Sequence, residues 1–394
     1  MQDLLFLTHR IPYPPNKGDK IRSYHLLKYL CIHYKVHLGT FIDEPNDWQY
    51  TDKLNALCES TCYIELKPLL AKVKSVQGLL TSQPLSLPYY KNKRMQAWVS
   101  QSLSCHSITK VLIFSSVMAQ FISNDHDVDM VVDFVDVDSD KWRQYAQQSK
   151  GFKRWIYHRE AHYLLCYEKL IAEQARASIF VSEQEAELFK SLVSLVSHKV
   201  THINNGVDTE YFSPELTFSS PYADYDQVII FTGAMDYWAN ADAVIWFATS
   251  ILPMILKQLP YVKFYIVGSK PTKEVLALTN QAIEVTGAVD DIRPYLANAH
   301  LVVAPLRIAR GIQNKVLEAM AMEKYVVATT AAMEGIPYQQ ELAVIVADSK
   351  EDVASGIIEQ LTKYVSAHKN REFVQSMFSW EHNVNLLLNI LEKH

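Results

Sequence analysis

Twelve short apolar runs, rich in β-branched residues and separated by longer stretches of helical periodicity, restrict this chain more than any other feature of its sequence. Six lie in the first half, "LLFLT", "KVHLGTF", "VLIFSS", "MVVDFVD", "SIFVS" and "VTHIN", and six in the second, "VIIFTG", "KFYIVG", "AIEVTG", "LVVAPL", "YVVATT" and "LAVIVA". Such runs read as strands buried on both faces, and stretches such as "NADAVIWFATSILPMILKQL" read as crossover helices. The pattern predicts βαβ units and parallel sheets. At 394 residues the chain exceeds the roughly 250–300 residues at which one core stops growing, so two doubly wound, Rossmann-like α/β domains are expected. Turn formers and prolines in "THINNGVDTEYFSPELTFSSPYADYDQ" break the alternation before a fresh strand at Val228. The expected division is 1–205 and 206–377. Doubly wound sheets bind ligands at the carboxyl ends of their strands, and in a two-domain chain those ends can face each other across a central cleft.

Composition removes several classes of function. The five cysteines form no CxxC pair, which argues for reduced structural thiols rather than a zinc or redox site, and Cys58 and Cys62, four apart, would share one face of a helix. The amino-terminal "MQDLLFLTHR" reads as a buried strand rather than a secretory signal. No apolar run approaches the roughly 20 residues of a membrane-spanning helix. A cytoplasmic protein is expected. Residues 1–200 hold 24 Lys and Arg against 21 Asp and Glu, and the remainder 14 against 22, so an anionic surface or acceptor would meet the first half. A mildly acidic chain without a basic stripe is not a nucleic-acid binder.

In the first half, "LLFLTH" runs into "RIPYPPNKGDKIRSYHLLKYL". Pro12, Pro14 and Pro15 stiffen a loop carrying Asn16, Lys17, Gly18 and Asp19; Arg22 follows in a helix opening near Lys20, whose amides can hold an anion. Further on, "VVDFVDVDSDKW" sets Asp133, Asp136, Asp138 and Asp140 at and beyond a strand end. A calcium loop would need a glycine and a twelfth-position glutamate that this run lacks, so these carboxylates are expected to bind hydroxyls or cations or to cap the next helix.

In the second half, three strands end in glycine: Gly233 in "FTGAMDYWANADA", Gly268 in "VGS" and Gly287 in "TGAVDDIRPYL". Three along one sheet edge indicate a ligand bed. Next to them "VAPLRIARGIQNKVLEAMA" bends at Gly311 and starts a helix near Asn314, after Ile312. Lys315 falls in its first turn, where the helix dipole disfavours a cation by a few tenths to about 1 kcal/mol. A bound anion removes that objection. Glu318 shares a face with Lys315, so one ligand can meet an ammonium on phosphate and a carboxylate on sugar hydroxyls, and Arg310 adds a planar fork for phosphate. The alternative is a plain intrahelical Lys315–Glu318 pair worth about 0.2–0.5 kcal/mol.

Over essentially its whole length the chain resembles retaining glycosyltransferases of family 4, which have the GT-B fold. The resemblance rests on "INNGVDTEYFSP", "FTGAMDYWANADAVIWF", "YIVGSKP", "VTGAVDDIRPYL" and "VAPLRIARGIQNKVLEAMAMEKYVVAT". The "THRIPYPPNKGDKIRSYHLLKYL" and "DFVDVDSDKW" segments look, more narrowly, like the glycosyltransferases of exosortase and exopolysaccharide loci. It implies a nucleotide-sugar donor on the second domain, with Lys315 on the diphosphate, Glu318 on the ribose, and the segment from Gly287 through Val289 to Ile292 on the base. It places Gly18 in a first-domain loop over donor and acceptor. It also implies that residues 378–394, with "FSWEHNVNLLLNIL", form a helix crossing back onto the first domain. Two departures stand out. Many family members have a glutamate where this chain has Arg310, and an arginine and a lysine where it has "AMDYWAN". Phosphate charge then falls to Lys315, helped by Arg310, Arg307 or first-domain cations.

The expected activity is transfer of a hexose-type sugar from a nucleoside diphosphate to a hydroxyl of a lipid-linked or oligosaccharide acceptor, with retention and with no metal or other cofactor. Competing expectations are a nucleotide-sugar epimerase of the same fold and a non-catalytic binding subunit. A nicotinamide-dependent dehydrogenase would need a GxGxxG turn after a strand, which the sequence lacks. Cations and aromatics mixed in "KNKRMQAWVSQSL" and "GFKRWIYHREAHYLLCYEKL" suit helices lying on anionic lipid at the inner face of the cytoplasmic membrane, and equally suit helices packed on the first sheet.

Overall fold

The computed structural model describes residues 1–15, 18–123, 127–223, 227–309, 311–363 and 366–393. Its contacts divide the chain into two compact units, Met1–Asn205 with Asn383–His394, and Gly206–His382.

The first unit is built on a seven-stranded sheet of β1 (Gln2–Thr8), β2 (Tyr34–Ile42), β3 (Ser60–Glu65), β4 (Lys110–Phe114), β5 (Asp129–Val135), β6 (Ala177–Phe180) and β7 (Val200–His202). The strands lie in the order β3-β2-β1-β4-β5-β6-β7 and every pair is parallel. Leu4 to Thr8 of β1 are all buried, because helices cover both faces of a parallel sheet. The final helix, Trp380–Glu392, closes one side of this core: Val384, Leu387 and Leu391 pack in a cluster with Leu4, Phe6 and Leu27. Lys110 and Arg176 donate to backbone carbonyls at its carboxyl end. The division between the units falls inside this helix, at residues 382/383.

The second unit carries β8 (Gln227–Thr232), β9 (Val262–Val267), β10 (Ile283–Gly287), β11 (Leu301–Ala304), β12 (Val326–Ala328) and β13 (Val344–Val346) in the all-parallel order β10-β9-β8-β11-β12-β13. Both units are therefore doubly wound Rossmann-like sheets, with the strand order reversing once in each, between β1 and β4 and between β8 and β11.

Every quoted run lies on a strand. The strand that the sequence reading missed is β3, "STCYIE", where only Cys62 and Ile64 are buried and residues of the two kinds alternate. Cys62 lies on β3 and Cys58 in the turn before it, so the helical spacing expected for them is corrected. A second correction concerns apolar length. Among the described residues one helical stretch, Trp238–Leu256, is long and apolar enough to cross a membrane, but 56% of it is buried in the protein. Val244, Phe247, Ile251, Leu252 and Ile255 are part of the second unit's core. Pro253 has no N–H for this helix, and the hydrogen-bond ladder widens into a π turn over Phe247–Ile251 just before it.

Candidate functional site

In the second unit the carboxyl ends of parallel strands line one sheet edge, and at the reversal between β8 and β11 the flanking crossovers leave on opposite faces, which opens a ligand crevice in sheets of this kind. Here β8 ends in Gly233, whose N–H donates to Val267 O at 3.0 Å, and Gly268 N–H donates to Gly287 O at 3.1 Å. The three strand-tip glycines are thus laced together beyond the sheet. A Cβ on Gly268 would stand 1.7 Å from Gly233 O, and one on Gly233 would stand 2.8 Å from Asn240 Nδ2 and 3.0 Å from Lys315 Nζ. Glycine at these two positions lets strand tips and side chains meet. At Gly287 and Gly311 the reason differs: a Cβ would meet nothing, but φ is 70° and 65°.

Lys315 stands in the first turn of the helix Asn314–Ala321, which Val316, Leu317, Ala319 and Met320 anchor in the core and which no side chain caps at its amino end. Its Nζ donates to Asn240 Oδ1 at 2.5 Å and lies 4.2 Å from the centre of the Phe231 ring. Asn240 Nδ2 in turn donates to Ala234 O at 2.8 Å. The Lys315 hydrogen bond is thus made to another element rather than along its own helix. Burial pulls the Lys315 ammonium down to about 7, with Glu318 acting the other way, and burial pushes the Glu318 carboxyl up to about 7, opposed by Lys315. Both groups are driven toward neutrality, and a bound anion would restore the charge on Lys315 while hydroxyl donors would favour the charged form of Glu318.

The remaining second-unit candidates lie at the helix entrance and along the strand tips. Ile312 and Asn314 are half-buried at the helix entrance; Ile312 packs on the core. Val289 and Ile292 are half-buried and also rest on the core. Arg307 makes a two-pronged pair with Asp242, at 3.0 Å for Nε, which occupies this candidate phosphate cation unless a ligand displaces the carboxylate. Arg310 lies outside the described residues.

The sequence suggests a helix starting near Asn240 or Ala241 with amides that could face phosphate; the helix is Trp238–Trp246, and the bond from Lys315 to the Asn240 side chain was not expected. The available signal was a polar side chain of poor helix propensity within the otherwise apolar "WANADAVIWF".

In the first unit the expected loop residues are tied to one another. Gly18 opens the helix Gly18–His33, and a Cβ there would meet nothing within 4 Å, so any demand for glycine comes from a ligand rather than the protein. Asp19 accepts from Arg10 Nη1 at 2.9 Å. Arg22 and Asp133, each 1% exposed, form a 2.7 Å ion pair, and Arg22 also donates to Ile203 O and Asn205 Oδ1. These two side chains hold the helix to β5 and to the "INN" segment, and Arg22 Nη2 is left without a hydrogen-bond partner. Asp136 and Asp138 accept from Lys141 at 2.6 and 3.3 Å, and Asp140 pairs with Arg143. Asn16 and Lys17 lie outside the described residues.

Metal-ligand side chains gather elsewhere, in one cluster among the described residues, Asp3, His37 and His106, toward the amino ends of β1 and β2. The sequence spacing of 34 and 69 positions hid it.

No curated protein sequence matches this chain. Solved structures do. HepE from Anabaena, determined with UDP and glucose, is 15% identical, covers 100% of both chains and superposes with a TM-score of 0.65. Sucrose-phosphate synthase from Thermosynechococcus elongatus is 17% identical over 99% of this chain and 98% of its own, with a TM-score of 0.63. WaaG, a glycosyltransferase involved in lipopolysaccharide biosynthesis, is 16% identical over 99% and 100%, with a TM-score of 0.61. At these identities the likeness is one of fold, and the fold is GT-B. Residues 226–363, which hold Gly233, Asn240, Lys315 and Glu318, match the family described as Glycosyl transferases group 1.

Proposed function

We propose that this protein is a glycosyltransferase that moves a hexose-type sugar from a nucleoside-diphosphate sugar to a hydroxyl of a lipid-linked or oligosaccharide acceptor with retention of configuration, in the building of an exopolysaccharide or cell-surface glycan. The observation that carries the reading is the Lys315, Asn240 and Glu318 cluster beside Gly233 at the strand-order reversal of the region that matches Glycosyl transferases group 1. The donor diphosphate lies against Gly233 and the amino end of Asn314–Ala321. Lys315 meets the negative charge that grows on the departing diphosphate, together with the helix amides and with Arg310, and Glu318 accepts from the vicinal hydroxyls of the ribose. Gly287 to Ile292 meets the base. Charge on the leaving group is neutralised by side chains and amides, so transfer proceeds without a metal ion. Complete loss of transfer on chelation by protein that stays folded, restored by a divalent ion, would overturn that point.

Acceptors held in a lipid surface fit a further feature. The helix Pro68–Ser75 exposes Leu69, Leu70 and Val73, continued by Val76, with Lys67, Lys72 and Lys74 alongside. Phe152 and Trp155 are exposed on the helix Gly151–Gln174, whereas Met95, Val99 and Leu103 of the helix Lys93–Cys105 are buried. These exposures support lipid contact through the first two helices, and burial supports packing for the third.

The test is calorimetric titration of a panel of nucleoside diphosphates and their sugars, with Lys315→Ala and Glu318→Ala alongside. Uridine compounds come first because HepE was determined with UDP and glucose. One nucleotide bound tightly, and weakened by both substitutions, is the expected result. Binding that ignores both residues would sink the site, and an epimerised donor in the absence of acceptor would favour an epimerase. Donor binding without turnover for any acceptor would favour a binding subunit.

A further inference from the structure

We propose that Asp3, His37 and His106 bind one divalent ion of the Zn²⁺ class, at a site on the first unit that is independent of the sugar-transfer reading. The three residues come from β1, from β2 and from the end of the helix Lys93–Cys105, and their carboxylate oxygen and two imidazole nitrogens lie within 4.8 Å of one another. His37 is fully buried and held at both ring nitrogens, Nε2 at 2.9 Å from Asp3 Oδ1 and Nδ1 at 2.7 Å from Ser60 Oγ. Two ligands on a tetrahedral ion with bonds of about 2.0–2.1 Å sit roughly 3.3 Å apart. The His37 to Asp3 separation opens to that value with a small side-chain rotation.

His106 completes the set. Its ring centre is 4.4 Å from that of His37, and it is exposed, so its ring has room to turn toward the ion. It also caps the carboxyl end of its helix, where the partial negative charge of the last carbonyls favours a cation. Ser60 supplies the usual second contact of a ligating histidine, an oxygen that accepts the other ring N–H and fixes the tautomer. Without an ion His106 meets His37 through a ring contact alone; an ion would join all three residues through their ligand atoms. One carboxylate and two imidazoles are the donor set of Zn²⁺ and its first-row neighbours rather than of Mg²⁺ or Ca²⁺. Three protein ligands leave a fourth position for water.

The site stands toward the amino ends of β1 and β2, whereas the Gly18 loop follows the carboxyl end of β1. The ion therefore ties two strands and a helix together rather than touching a sugar donor, and it stabilises the folded state by mass action.

The experiment uses the full chain without a histidine tag, stripped by a chelator and then titrated with Zn²⁺ by calorimetry and with Co²⁺ by visible absorption. One ion per chain is expected, with a tetrahedral Co²⁺ spectrum and a higher melting temperature on adding Zn²⁺. His106→Ala and Asp3→Asn should each weaken binding at least about tenfold, and Ser60→Ala by about ten- to a hundredfold. His106 is exposed, and metal-free melting of its variant checks that the fold is kept. Absence of a one-to-one site, or equal affinity in the wild type and the His106 and Asp3 variants, would overturn the proposal. The second outcome would assign binding to others of the 14 histidines.

Discussion

Lys315 Nζ donates a 2.5 Å hydrogen bond to the side-chain oxygen of Asn240, 75 positions earlier in the chain. That oxygen holds the ammonium beside the strand tip, and Asn240 is itself held by Ala234 O. Asn240→Ala should weaken nucleoside-diphosphate binding about ten- to a hundredfold, as expected for a hydrogen bond to a charged group worth about 1.5–3 kcal/mol. Asn240→Asp should weaken it at least as much, because the new carboxylate competes with phosphate for the ammonium. Calorimetry with the best nucleotide reads both, and unchanged affinity in Asn240→Ala would remove the residue from the site.

The same site should give donor binding an optimum near neutral pH. Lys315, pulled down to about 7 by burial, must gain a proton to meet phosphate, and Glu318, pushed up to about 7 by burial, must lose one to accept from hydroxyls. Affinity then falls above about pH 7 through Lys315 and below it through Glu318, by up to about tenfold per unit, with midpoints that belong to the pair. Glu318→Gln should remove the acidic limb and move the alkaline one to lower pH, because the Glu318 charge opposes the effect of burial on Lys315. Titrations from about pH 5.5 to about 8.5 test this.

Gly268→Ala should destabilise the second unit by about 1–3 kcal/mol, since the added carbon would stand 1.7 Å from Gly233 O and the two strand tips must part. Gly311→Ala meets no atom, and its cost should be nearer 1 kcal/mol, from the positive φ alone. Urea unfolding of the two variants gives the comparison.

Arg22→Ala leaves Asp133 buried without its partner and should cost about 3–5 kcal/mol. The double change Arg22→Met with Asp133→Leu should recover much of that loss. If the single and double variants unfold at the same urea concentration, the pair is not what holds this helix to β5.

Leu70→Glu with Val73→Glu adds charge to two exposed positions and should leave stability unchanged. It should reduce sedimentation with anionic vesicles severalfold. Undiminished sedimentation would move the lipid contact away from this helix.

Twelve of the strands could be read from the sequence because parallel strands are buried on both faces and announce themselves as unbroken apolar runs. The exception, β3, buries only Cys62 and Ile64 of its six residues, so "STCYIE" alternates and carries no such mark. The Lys315 and Glu318 pair was legible because four residues of one helix set its geometry. Asn240, which meets Lys315 across 75 positions, was not, and neither was the meeting of His37 with Asp3 and His106, because register and crossover packing bring these residues together. Arg22 and Asp133 show a related limit. Their places at strand and helix ends suggested ligand contacts, and nothing local showed that each was the other's partner over 111 positions.

The helix Trp380–Glu392 sets an order of events during synthesis. Residues 383–394 complete the first unit, yet all of residues 206–382 are made before them. At about 5–20 residues per second the ribosome needs roughly 10–35 s to make that insert. Throughout that interval the surface around Leu4 and Phe6 that Leu391 will cover stands open. The unit begun second is therefore the first that can be finished, and the nascent first unit is the one that chaperones would hold.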